Sequence, residues 1–242
     1  IQLLGYHAHV GSQIFDASLV GATVSALLEF GAEVRDRFGF APQVVIPGGG
    51  FGVRDDASGA DVSIRAWAET AAAAIRDRCA VHGLDAPELV VEPGRAIVGP
   101  AGVSIYTIGA RKEIPEVRTY VSVDGGMSDN IRPSLYGARY SAAVANRAES
   151  GPREMVTISG KYCESGDILI KDIDLPVLQA GDLLSLPMAG AYCMSMARNY
   201  HLAPRPAAVL VADGRATLFR RRETYADMLA AEVLPADARM AR

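Results

Sequence analysis

Apolar positions in the first 95 residues alternate between two periods. "IQLLGYHAHVGS", "PQVVIPGGGFG" and "PELVVEPGR" are short, nearly continuous apolar runs that each end in glycine or a chemically active side chain. After the first, Val20, Val24, Leu27, Leu28, Val34 and Phe38 recur at near-helical spacing and predict a helix over about 18–38. After the second, Ile64, Trp67, Ala71, Ile75 and Cys79 predict a helix over about 62–82, with Gly83 as its C-cap. Apolar strands alternating with amphipathic helices imply a parallel sheet covered by helices, so this part reads as α/β.

Beyond residue 100 the pattern shortens to alternating strands broken by Gly, Pro and Asp: "GVSIYTIGAR", "YVSVDGG", "EMVTISGKYC", "DILIKDIDL", "GDLLSLPM" and "AAVLVADGRATLFRRR". These predict an antiparallel β domain over 101–242, following an α/β segment over 1–100. "ADGRATL" reads as a hairpin turning at Asp213-Gly214, and "ETYADMLAAE" as a short closing helix.

Composition narrows the function. The 242 residues are 50% hydrophobic and carry a net charge of -4 with both signs interspersed, so no basic stripe points to nucleic acid or an anionic membrane. Cys79, Cys163 and Cys193 are far apart and form no CxxC, which argues against a disulfide framework or thiolate zinc site and for a reducing, cytoplasmic setting. No apolar run is long enough to span a bilayer and the first residues lack a signal-peptide pattern. They already read as a strand, so the chain is expected to begin in mid-fold.

The strand ends carry the candidate chemistry. Gly48, Gly49 and Gly50 let backbone N–H groups approach an anion, although a plain strand-to-helix turn would use the same residues. The stretch lacks both the GK[ST] ending of a Walker A loop and GxGxxG spacing. His7 and His9 share a strand face, which is half of a metal site, but no third ligand cluster is evident and no metal is expected; a satisfied core histidine is the bland alternative for one of them. Glu92 and Arg95 could hold a cationic ring nitrogen and an anionic group, or form a structural ion pair. Cys163 beside Glu164 in "GKYCESGDIL" is either a small buried hydrophobe or a reactive thiol at a bend.

Taken together, "HVGSQ", "GGGFG", "EPGR", "VDGGMSDNIRPSLYGARY", "GKYCESGD" and "GAYCMSMARNY" resemble the pyridoxal-phosphate decarboxylases of the alanine-racemase-like barrel fold, in particular the diaminopimelate decarboxylase group. The resemblance implies a TIM-type β/α barrel, of which residues 1–100 supply about the last three strands, and a pyridoxal 5′-phosphate cofactor. It implies that His9 stacks on the cofactor ring, that Ser12, Gly48, Gly49 and Gly50 bind its phosphate, and that Glu92 pairs with its ring nitrogen. Arg95, Arg132, Tyr136 and Tyr192 then contact substrate, with Arg95 and Tyr192 also near the cofactor. Cys163 and Glu164 reach into the site of a second subunit, as proton donor and ammonium ligand, which implies a homodimer. Arg132 with Glu164 offers a cation and an acid to the distal zwitterion of diaminopimelate, whereas ornithine or arginine presents only a distal cation. Pro47 and Tyr140, the latter where many relatives carry histidine, depart from the family pattern at positions expected to carry no chemistry.

The Schiff-base lysine is missing. Only Lys112, Lys161 and Lys171 occur, and none lies in the family's Tyr-Ala-x-Lys context. Three strands cannot close an eight-stranded barrel, which takes about 250 residues. The chain is therefore expected to be the C-terminal part of a longer lyase and inactive alone, with a decarboxylase of another amino acid, a split enzyme or a non-catalytic regulator as alternatives.

Overall fold

The computed structural model describes residues 1–54, 63–148 and 150–233. In chain order the elements are β1 (Gly5–His7), α1 (Ser18–Phe38), β2 (Val44–Ile46), α2 (Ile64–His82), β3 (Glu88–Leu89), α3 (Gly94–Val98), β4 (Ser104–Ile114), β5 (Arg118–Val123), α4 (Arg132–Tyr136), β6 (Ala143–Val144), β7 (Arg153–Ser159), β8 (Ile168–Pro176), β9 (Leu183–Leu186), β10 (Ala208–Ala212), β11 (Arg215–Arg220) and α5 (Tyr225–Met228). They form two compact units, one of Ile1–Ser104 with Pro187–Ala191, the other of Ile105–Leu186 with the described residues from Tyr192 onward.

In the first unit β1, β2 and β3 lie side by side in that order, all parallel. Helix α1 takes the span its periodicity predicts and stops at Gly39, whose left-handed φ of 73° returns its N–H to the Arg35 carbonyl. Helix α2 begins at Ile64 behind Ser63, which accepts from the Ala66 N–H, and ends at Gly83. Residue 62, where the spacing placed its start, lies outside the described residues. The apolar faces of both helices meet the sheet through Val24, Leu28, Val45, Trp67 and Ala71, and Trp67 packs 4.4 Å from the Phe51 ring. Burying a side chain such as Leu28 contributes about 1.5–3 kcal/mol. Elsewhere in this unit Leu3, Val10 and Ile97 are exposed.

In the second unit six strands form one sheet in the order β6-β9-β4-β5-β7-β8, and β10-β11 form a separate hairpin. All the strands expected from alternation are present, but the sheet is not purely antiparallel: β5 and β7 pair parallel. Their connection runs through α4 and β6, long enough to return the chain to the same end, and alternation alone carries no strand direction. Val121, Val156, Ile158, Leu169, Leu175, Leu184 and Leu186 form its buried core. The hairpin turns on Asp213 and Gly214 with φ of 50° and 71°, the two left-handed residues that a type I′ turn requires. Helix α5 is shorter than its pattern suggests and is fixed by a capping box between Thr224 and Asp227. No helix among the described residues is long and apolar enough to cross a membrane.

Candidate active site

The C-terminal ends of β1, β2 and β3 run on into irregular backbone that stays in contact. Ile14 bridges Phe51, and Gly49 bridges Glu92, both in parallel sense. The Glu92 N–H donates to the Gly48 carbonyl at 3.2 Å, and the Ile14 N–H to the Gly50 carbonyl at 2.8 Å. This approach leaves no room for side chains on the glycines. A Cβ at Gly49 would sit 1.9 Å from the Glu92 carbonyl oxygen, one at Gly50 2.2 Å from that of Gly11, and one at Gly48 2.7 Å from that of Ala8. Gly48 and Gly50 also have φ near 80°. The triple glycine is thus required by the strand ends themselves, whatever anion its N–H groups meet.

Three predicted residues come together on this rim. His9 Nδ1 accepts a long hydrogen bond from the Gly49 N–H at 3.4 Å, and Gly49 abuts Glu92. The Glu92 carboxylate, about half exposed, lies 3.1 Å from His7 Nε2. Both histidines are exposed, so neither is a core histidine. Ser12 is exposed in the adjoining loop, and Arg95 lies half-buried in α3, just after Glu92. The sequence offered no partner for His7, because the contact joins residues 85 apart in the chain. Among the described residues no group of three or more His, Cys, Asp or Glu side chains could hold a metal ion.

The other predicted residues lie in the second unit. Arg132 opens α4 and is 2% exposed, with Nη1 donating to the Tyr140 hydroxyl at 2.5 Å. Tyr140 is buried and its hydroxyl also meets Cys193 Sγ at 3.6 Å. Position 140, expected to carry no chemistry, therefore carries one hydrogen-bond partner of the arginine. Tyr136, at the other end of α4, is exposed. Tyr192 is half exposed and holds a left-handed φ of 59°, a conformation costing a non-glycine residue about 1–2 kcal/mol.

Cys163 and Glu164 project from the loop between β7 and β8, both exposed. The Tyr200 hydroxyl donates to Glu164 Oε2 at 3.2 Å, which holds the Tyr200 phenol above its usual range. Asp167, 2% exposed, ties this loop to the segment before α4: its carboxylate accepts from the Met127 N–H at 2.7 Å and the Tyr162 N–H at 2.8 Å. Ser128 Oγ meets the Tyr162 hydroxyl, and Gly166 sits against Ser134 of α4. Neither Asp167 nor Tyr200 was singled out from the sequence; the acid following "CESG" was the available signal. Lys112, Lys161 and Lys171 are all exposed in this unit, with Lys161 Nζ 5.8 Å over the Tyr162 ring.

A family model described as "Pyridoxal-dependent decarboxylase, C-terminal sheet domain" matches residues 13–190. Diaminopimelate decarboxylase of Bacillus subtilis strain 168 is 48% identical over 229 residues, 95% of this chain and 52% of that protein. The Synechocystis protein of the same name is 44% identical over 97% of this chain and 50% of its own length. A crystal structure of the M. jannaschii diaminopimelate decarboxylase in complex with L-lysine superposes with a TM-score of 0.89 at 32% identity, covering 96% of this chain and 52% of that one. The chain spans about half the length of the curated relatives it matches.

Proposed function

From a chain that belongs to the pyridoxal-dependent decarboxylase family, we propose a pyridoxal-phosphate lyase that converts meso-2,6-diaminopimelate to L-lysine and carbon dioxide. In this reading residues 1–100 are the C-terminal part of its β/α barrel and 101–242 its sheet domain. The observation that carries the proposal is the continuous run from His9 through Gly49 to Glu92 at the ends of three parallel strands. It is supported by the identity to diaminopimelate decarboxylases along nearly the whole chain.

The residues fit the cofactor. Gly48 and Gly50 carry backbone N–H groups where no Cβ fits, a neutral cradle for phosphate, while the Gly49 N–H is directed to His9. His9 presents an imidazole beside them and Glu92 a carboxylate, suited to a planar ring with a basic nitrogen. The bound cofactor supplies an electron sink for the charge left when carbon dioxide departs. Glu92 would hold a proton at the ring nitrogen, His9 would lie against the ring, and Ser12 with the Gly48 and Gly50 amides would grip the phosphate. Arg95 and Tyr192 orient the reacting end of the substrate at the cofactor. Arg132 and Tyr136 take the distal carboxylate and Glu164 the distal ammonium, while the Cys163 thiol delivers a proton to the carbon that lost its carboxylate. Cys163 and Glu164 act on the site of the partner subunit of a homodimer, and the covalent lysine lies outside this chain. A cytoplasmic location belongs to the same reading.

One observation favours a second substrate. Arg132 is 2% exposed whereas Glu164 is open to solvent, and a site offering only the acid would suit a distal ammonium, as in lysine or ornithine. Carbon dioxide release by the complete enzyme from meso-diaminopimelate, L-lysine, L-ornithine and L-arginine separates the two. Turnover of diaminopimelate at least about a hundredfold above the others, worth about 2.7 kcal/mol, supports the first. Preference for lysine or ornithine would support the second, and release from none would overturn both.

A further inference from the structure

His7 lies at the end of β1 and Glu92 just beyond β3, with β2 between them. Nε2 of His7 nevertheless comes within 3.1 Å of Glu92 Oε2. An ionised carboxylate can only accept, so with such a partner Nε2 is the donor that this contact requires. The Glu92 backbone is already fixed, by its bridge to Gly49 and its N–H bond to the Gly48 carbonyl. Only its side-chain torsions remain free. His7 removes that freedom by anchoring Oε2, which leaves Oε1 as the oxygen available to a ligand. Ordering a glutamate side chain is otherwise costly, because it has three torsions to fix.

We infer that His7 is a positioning residue for Glu92: it presets the carboxylate that meets the ring nitrogen of the cofactor and so raises cofactor affinity without touching the cofactor itself. The inference rests on the proposed role of Glu92. The competing account is an ion pair of half-exposed side chains, which contributes little.

The test uses the complete enzyme and reads pyridoxal 5′-phosphate affinity by equilibrium dialysis, with the absorbance of the bound cofactor as a report on ring-nitrogen protonation. His7→Phe removes the donor, His7→Gln retains an N–H at similar reach, and Glu92→Gln removes the charge. Losing a hydrogen bond to a charged group predicts an affinity about tenfold lower for His7→Phe, with an altered absorbance. His7→Gln should stay within about threefold of the unsubstituted enzyme, and His7→Phe added to Glu92→Gln should weaken binding no further, since both act on one contact. Unchanged affinity in His7→Phe, or additive losses in the double variant, would overturn the role of His7 while leaving Glu92 in place. Unchanged affinity in Glu92→Gln would overturn the reading of Glu92, and His7 with it.

Discussion

The Tyr140 hydroxyl accepts a hydrogen bond from Arg132 Nη1 at 2.5 Å, and both side chains are buried. A phenol oxygen that accepts from a guanidinium fixes its orientation without itself carrying a charge. Tyr140→Phe should therefore raise the KM for diaminopimelate about tenfold with kcat nearly unchanged, the cost of losing one hydrogen bond to a charged group. Tyr140→His restores an acceptor and should lie closer to the unsubstituted enzyme. Steady-state kinetics on the three proteins checks this; equal KM values would show that Tyr140 only fills space.

Asp167 receives two backbone N–H groups on separate oxygens, one from each of two loops. Asparagine has the same shape but would turn an NH2 group toward one of those donors. Asp167→Asn should cost about 2–3 kcal/mol, the penalty of an unsatisfied buried group, and loosen the loop that carries Cys163 and Glu164. Urea denaturation measures the loss. A midpoint unchanged from the parent protein would mean that the two loops do not depend on this carboxylate.

Acid should act on Asp182 and Asp167 with opposite sign. Hydrogen bonds from Arg147, then from the Gln179 N–H, hold the Asp182 carboxyl down at about 2. Its stabilisation is thus present above the ordinary Asp range and lost as pH falls toward 2. Burial holds Asp167 above its usual range, so its titration favours the folded state on acidification. Arg147→Ala should lower stability at pH 6 and flatten the fall between about pH 4 and 2, because the Asp182 contribution is already gone. Denaturation midpoints at pH 6 and pH 3 in both proteins test this; parallel losses would exclude Arg147 as the cause.

If Cys163 and Glu164 serve the partner's site, defects on opposite sides of that site should complement. Subunits carrying Cys163→Ala, mixed and reassociated with subunits carrying Glu92→Ala, should recover about a quarter of the normal sites, since half the dimers are mixed and each holds one intact site. Each variant alone should be nearly inactive. No recovery in verified mixed dimers would place both residues in one subunit's site.

Helices were the most legible part of the fold, because a period of 3.6 with a glycine stop fixes both face and end, as in α1 with Gly39 and α2 with Gly83. The Asp213-Gly214 hairpin was legible for the same reason: two left-handed residues specify the turn. The parallel pairing of β5 with β7 was not, since strand direction depends on a crossover rather than on alternation. Short α4, with Pro133 in its first turn and Gly137 after its last, was too brief for a period to show. In the candidate site the six motifs are local features of the sequence, but contacts across 85 residues for His7 and Glu92, or 53 for Tyr140 and Cys193, leave no local trace. Tyr140 likewise has no local signature, since its contact is with the Arg132 side chain.

The most direct measurement is L-lysine formed from meso-diaminopimelate with pyridoxal 5′-phosphate, by the protein isolated from its native source and by the purified 242-residue chain in parallel. With the covalent lysine proposed to lie outside this chain, the account predicts lysine and carbon dioxide in equal amounts from the native protein, and none from the 242-residue chain. No lysine from the native protein, or lysine from the short chain alone, would contradict it.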